Sequence, residues 1–348
     1  MGFGVYVHIP FCAQRCDYCA FATWTDRHHL QQRYMQALRT EVERAALPPV
    51  TSVFVGGGTP TLVDPHLLAA VLDDIPTVAG AEVTVECNPD DVTDELMAIY
   101  AAAGVNRISI GVQSMVPHVL TALGRTHVPA NVELAVAAVR GAGIPTFNMD
   151  LIYGGAGESL NDWRITLEGA LALEPMHVSA YALTVEAGTP LFDEPHRHPD
   201  DDDLADKYEL ADEMLSAAGR ENYEVSNWAL RGHECRHNVL YWQQGDYVGV
   251  GCAAHSHRAG RRWWNLRTPE RYLAAVESGE PTEAAGETLD DETRRVEGLQ
   301  LRLRMRDGVP AEALDLDGLD GLVDVSEGQV RLTRHGRLLA NEVAMRLR

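Results

Sequence analysis

The chain has 348 residues, enough for one large domain or two ordinary ones, and 45% of them are hydrophobic, as in ordinary globular proteins. Its formal net charge of −22 repels the phosphates of nucleic acid and gives no general route to anionic membrane surfaces. No run of eighteen apolar residues is present, so no membrane span is expected, and the strand-like opening leaves no room for a targeting peptide.

The first element is a strand over residues 4–9. It runs into Cys12, Cys16 and Cys19, spaced C-x3-C-x2-C. Iron–sulfur cubes are usually held by four thiolates, one per iron. Three close thiolates leave one iron open for another ligand, and this pattern resembles that of radical S-adenosylmethionine (SAM) proteins. A structural zinc site is the alternative, but it needs a fourth ligand. Only His8 lies near, and its direction on the strand is open. A disulfide framework is not expected in an acidic chain of this length with six cysteines. An oxygen-sensitive cluster points to the reducing cytoplasm.

Five further strands are expected over 52–55, 82–86, 107–112, 146–152 and 177–183, alternating with helices such as 32–46, 94–103, 130–142 and 160–173. Gly104 and Gly143 stand where helix C-caps fall. The alternation predicts an α/β fold, a partial (β/α)6 barrel over 1–195, open on one side. Chemistry in such folds gathers at the carboxyl ends of the strands. The Gly56–Gly58 run follows the second strand and allows a ligand close to the backbone, with exposed main-chain groups to bond it. Glu86 ends the third strand and points into the barrel mouth, whereas Cys87 faces the other way as a packed thiol. Gln113, Arg125 and Asp150 lie at or after later strand ends. Arg125 suits a carboxylate and Asp150 suits ribose hydroxyls.

Past residue 195 the pattern changes. The four aspartates from Asp200 to Asp203 read as a solvated loop or helix N-terminus, before a helix over 204–218. Residues 196–278 form an extension that completes the barrel side. It holds His233, Cys235, His237, Asn238, Tyr241 and Trp242, then Cys252, His255 and His257. His and Cys are axial ligands of haem iron; a folded loop whose histidines hydrogen-bond the backbone is the plainer alternative. Residues 279–291 read as a linker or exposed loop. The last segment, 279–348, is expected to be a small, mostly helical, winged-helix-like module. Arg302, Arg304 and Arg306 make a small basic patch on a helix face there, too mixed with acids to favour DNA.

From Tyr6 to about His257 the chain resembles the HemN/HemW branch of radical SAM proteins, and its HemW members most. The resemblance is carried by the motifs at 6–12, 56–60, 86–89, 109–114, 123–125, 150–154, 223–226, 237–242 and 249–255. It implies that Cys12, Cys16 and Cys19 ligate a [4Fe–4S] cluster and that Tyr6, Gly57 and Glu86 contact cluster-bound SAM. Positions contacting a second SAM in the oxidase match Tyr18, Gly58, Thr59, Gln113, Arg125, Asp150 and Thr184. The motif formed by His237, Asn238, Tyr241 and Trp242 is associated with haem binding, and it implies a haem chaperone serving a haem-accepting respiratory protein. An electron donor such as flavodoxin or ferredoxin is implied as a further partner. The alternative is an enzyme that generates a 5′-deoxyadenosyl radical: an oxygen-independent coproporphyrinogen III oxidase, methyltransferase or cyclopropanase. Against the oxidase, Ala20 and Phe21 follow Cys19 where a further thiol is usual, and almost nothing precedes Tyr6. Gly155 and Ala156 replace the usual Leu-Pro, so the loop after strand five is expected to differ in shape.

Overall fold

A computed structural model describes residues 2–348. Side chains alternate between the faces of a strand, and here the alternation separates apolar from polar residues. In β1 (Phe3–Ile9), Val5, Val7 and Ile9 are fully buried on one face, while Tyr6 and His8 take the other. The same split runs through β2 (Val50–Gly57), β3 (Thr77–Cys87), β4 (Arg107–Gln113), β5 (Thr146–Tyr153) and β6 (His177–Ala182). Helices α1 (Gln31–Ala45), α2 (Pro65–Asp73), α3 (Asp94–Ala102), α4 (Pro117–Ala122), α5 (Pro129–Gly141) and α6 (Leu160–Ala172) connect these strands. One apolar cluster joins the outer strand face to Tyr34, Leu38, Val71, Met97, Val136 and Trp163 of the helices. Covering one face with helices is what allows a parallel sheet to form. Gly104 and Gly143 follow α3 and α5 with φ of 84° and 72°, a left-handed conformation that glycine adopts without strain.

β1 to β6 pair in sequence order, all parallel. The extension lengthens both ends of this sheet. Next to β6 lies the hairpin β7 (Glu221–Glu224) and β8 (Asn227–Ala229), which follows α7 (Asp201–Ala217). After α8 (Arg236–Trp242), β9 (Asp246–Val250) pairs parallel with β1, and β10 (His255–Arg258) and β11 (Arg261–Asn265) follow antiparallel. The resulting twelve-stranded sheet has open edges, as expected for a partial barrel.

The helix expected over 204–218 begins three residues earlier, because Asp200 caps it by accepting from the amides of Asp202 and Asp203, both at 3.1 Å. The stretch 279–291 is not simply a loop. After α9 (Pro269–Ser278) it contains β12 (Glu283–Thr288), the edge strand beside β11. Every residue of β12 is exposed; main-chain pairing and the ion pairs Arg261–Glu283 and Arg262–Glu287 hold it, and no apolar alternation marks it in the sequence. The C-terminal module has its own apolar cluster around Leu299, Leu303, Val309, Val330 and Val343. It comprises α10 (Asp291–Leu303), a sheet of β13 (Val309–Pro310), β14 (Val323–Ser326) and β15 (Gln329–Leu332), then α11 (Arg334–Leu338) and α12 (Ala340–Ala344). The three arginines are not an open basic patch. Arg302 and Arg304 bond carbonyls of their own helix, and Arg306 pairs with Glu234 and Glu221. No helix among the described residues is long and apolar enough to cross a membrane.

Candidate functional site

The inward strand faces enclose a cavity of about 530 Å³, within the usual range for small-molecule sites. Its wall includes Tyr6, His8, Gly57, Glu86, Ser109 and Asp150, with Ala20–Ala22 arriving directly from the cysteine loop. The cavity and that loop therefore form one continuous site at the carboxyl ends of the strands.

Cys12, Cys16 and Cys19 are free thiols, partly exposed on one loop, whereas Cys87, Cys235 and Cys252 are buried elsewhere. Burial pushes the Cys12 and Cys19 thiols up, so binding iron would displace protons from them. The zinc alternative needs a fourth ligand close to the three thiols. His8 does not turn to the thiols. Its Nε2 bonds the Ala22 carbonyl at 2.9 Å and its Nδ1 the Tyr6 hydroxyl at 3.1 Å, and burial lowers its pKa to about 4.

The glycine turn is pressed against this loop. The Gly58 amide donates to Ile9 O at 2.7 Å, the Thr59 amide to Phe11 O at 2.8 Å and the Gly57 amide to Glu86 Oε2 at 3.1 Å. These amides are therefore not exposed for a ligand as the sequence suggests. What the glycines supply is space: a Cβ on Gly56 would lie 2.6 Å from Glu86 Oε2, one on Gly58 2.6 Å from Phe11 O, and one on Gly57 would collide with the His8 ring. Gly57 also has φ of 108°. Thr59 Oγ1 reaches Cys12 Sγ at 3.7 Å.

Glu86 does face the lumen, and Cys87 is buried on the opposite face. Burial, then repulsion from Asp150, pushes Glu86 up to about 7 against the Gly57 amide. Burial also raises Asp150, which accepts from Ser109 at 2.7 Å and Asn148 at 2.8 Å. Arg125 stands beside the cysteine loop. It reaches Cys16 Sγ at 3.7 Å and donates to Asn88 Oδ1 at 2.7 Å and Gly111 O at 3.1 Å, which leaves less of its fork for a ligand carboxylate. Gln113 ends β4 with φ of 59°, and its buried Oε1 has no partner. Tyr18 packs beside the apolar cluster of Val116, Val119 and Leu123, and Thr184 is exposed just past β6. Three thiols on one loop and the space left by the glycines beside it fit a cluster there, with SAM at the mouth of the lumen. When bound, this pair supplies one-electron reductive chemistry at the sulfonium.

His237, Tyr241 and Trp242 lie on α8, which closes the lumen at the amino ends of the strands. Glu82 caps that helix, accepting from the amides of Arg236 and His237 at 3.0 and 3.1 Å. His237 is fully buried, stacked on Phe54, with Nδ1 bonded to Ser52 Oγ at 3.0 Å and Nε2 to Tyr241 Oη at 2.7 Å. Both ring nitrogens are thus occupied, by side chains and not by the backbone as the plainer alternative has it. Trp242 is half-buried.

Reading strand ends alone missed the polar floor of the lumen: Arg107, Ser109, Asn148, His177, Ser179 and Tyr181. The signal was the polar–apolar alternation of R-I-S-I, N-M-D-L and H-V-S-A-Y.

Residues 6–170 match the family model described as the Radical SAM superfamily. The chain is 41% identical to the heme chaperone HemW of Mycobacterium tuberculosis, covering 99% of this chain and 94% of that one. It is 34% identical to the Escherichia coli heme chaperone HemW, covering 97% and 96%. Among solved structures, coproporphyrinogen III oxidase (HemN) from Escherichia coli aligns with a TM-score of 0.87 at 22% identity, covering 99% of this chain and 89% of that one, which shows a common fold. Thiol triad, polar lumen and near full-length similarity agree: the chain belongs to the HemW family of radical SAM proteins.

Proposed function

We propose that the protein is a haem chaperone: it binds haem in or at the lumen, beside a [4Fe–4S] cluster and SAM, and passes it to a haem-accepting respiratory protein. The observation that supports this best is the 41% identity to a heme chaperone over nearly the whole chain. The structure adds a physical reason. A continuous cavity of about 530 Å³ runs from the cysteine loop to α8, with aromatic rings at Tyr6, Phe54 and Tyr241 and polar groups between them. A bound tetrapyrrole would meet the rings with its face and the polar groups with its acidic edges.

In this reading Glu86 orients SAM, the glycine turn leaves room beside it, and α8 closes the far end. An electron donor such as a flavodoxin or ferredoxin would dock near the exposed residues 13–15 of the cysteine loop. The reading is tested by titrating anaerobically reconstituted protein with haemin. Saturable binding at one haem per chain, with transfer to an apo-acceptor, supports it. Absence of a saturable absorbance change removes it. SAM cleavage on adding coproporphyrinogen III and a reductant would favour the enzymatic alternative.

A further inference from the structure

Arg107 opens β4 and points into the lumen. It is 3% exposed, and among the described residues its guanidinium makes no hydrogen bond and no ion pair. Its Nε is buried without a partner, as is Oγ1 of Thr84, its cross-strand neighbour. Leaving a buried guanidinium unbonded is costly.

The surrounding acids favour its charge, but none of them bonds it. Glu82 is committed to the amides of Arg236 and His237 and to the Cys235 thiol. Asp150 is held by Ser109 and Asn148, and Glu86 by the Gly57 amide. His177 spends Nδ1 on Asn148 at 2.6 Å and Nε2 on the Tyr223 hydroxyl at 2.8 Å. Every acid near the floor already has its donors, and the planar fork best suited to a carboxylate has no acceptor.

We propose that Arg107 is the carboxylate anchor of the lumen, taking an acidic side chain of the ligand in a two-pronged pair. This rests on the haem reading above, in which that side chain is a haem propionate. SAM also carries a carboxylate, but Tyr6, Gly57 and Glu86 place SAM nearer the carboxyl ends of the strands, while Arg107 begins its strand. Burial draws Glu86 and Asp150 toward their neutral forms, which lessens repulsion of an incoming carboxylate. The net charge of −22 makes the proposal sharp: the whole molecule disfavours an anion, so any preference for one must come from a local cation.

The test compares haemin with haemin dimethyl ester, which lacks both carboxylates, by visible titration of the full-length, cluster-loaded protein. The anchor predicts that haemin binds at least about tenfold tighter than the ester. Arg107→Gln should bring that ratio close to one, Arg107→Lys should keep part of it, and SAM binding by equilibrium dialysis should persist in both. Equal affinity of the unaltered protein for acid and ester overturns the anchor even if the variants fail to fold. Loss of SAM binding with the haemin preference retained also overturns it, by assigning the carboxylate to SAM. Failure to bind either porphyrin removes the haem reading, and the anchor with it.

Discussion

Glu86 shows what alternation alone can place. Its position at a strand end implied a carboxylate in the barrel mouth and sent Cys87 to the packed face, and both orientations are found. What the sequence did not carry was the proton. Burial, then Asp150, moves Glu86 from 4.5 to about 7. Between these values the folded protein holds a proton that the unfolded chain has released, so stability falls as pH rises through the window. Glu86→Gln should remove that loss, raising stability above pH 7 by up to about 3 kcal/mol and leaving it unchanged below 4.5. Urea unfolding of the apo-protein across pH 4 to 8 checks this; SAM affinity should fall in the same variant. His8 and His237 act with the opposite sense. Burial lowers them to about 4 and about 3, so the unfolded chain gains protons below pH 6.5 that the folded state refuses. Stability should therefore drop as pH falls from 6.5 toward 4, and the unfolding midpoint of His237→Gln should fall less steeply over that range. The thiols separate cleanly too. Cys12→Ser should abolish the visible absorption of the reconstituted cluster, and Cys87→Ala should retain it.

Among the elements, the six parallel strands and the helices α1, α3, α5 and α6 were legible to within about five residues, because burial under helices leaves a periodic apolar trace. β12 was not, since an exposed edge strand is held by main-chain bonds and ion pairs that leave no such trace. The lumen was legible in principle, but its inward polar residues lie in mid-strand, away from the ends where chemistry usually gathers. The motif on α8 shows the same limit. Spacing put His237, Tyr241 and Trp242 together, but only the fold shows that Glu82, 155 positions from His237, caps the helix that carries them. Glu82→Ala should leave the first amides of α8 unpaired and destabilise the protein by about 2 kcal/mol. Denaturant titration measures this, and faster amide exchange confined to residues 236–242 would show the helix loosening.

At the scale of the whole molecule, one chain joins a cofactor loop, a polar lumen and a C-terminal module with its own core. The module is tied to the barrel through Asp212 of α7, which is buried and bonded by Trp228 at 2.9 Å, Arg334 at 2.5 Å and Arg337 at 3.2 Å. Removing the carboxylate leaves two arginines and a buried indole without their acceptor. Asp212→Ala should therefore cost about 3 kcal/mol and make residues 291–348 protease-sensitive before the barrel. Both arginines lie over 100 residues from Asp212, so no local pattern announces the tie. The central claim is that three thiolates hold a cube whose remaining iron is open to SAM at the mouth of the lumen. The most direct measurement is the electron paramagnetic resonance spectrum of the reduced, anaerobically reconstituted protein before and after SAM is added. The account predicts about four irons per chain and a spectrum that shifts on adding SAM, with the shift lost in Glu86→Gln. A cluster whose spectrum is indifferent to SAM, or no cluster at all, would contradict it.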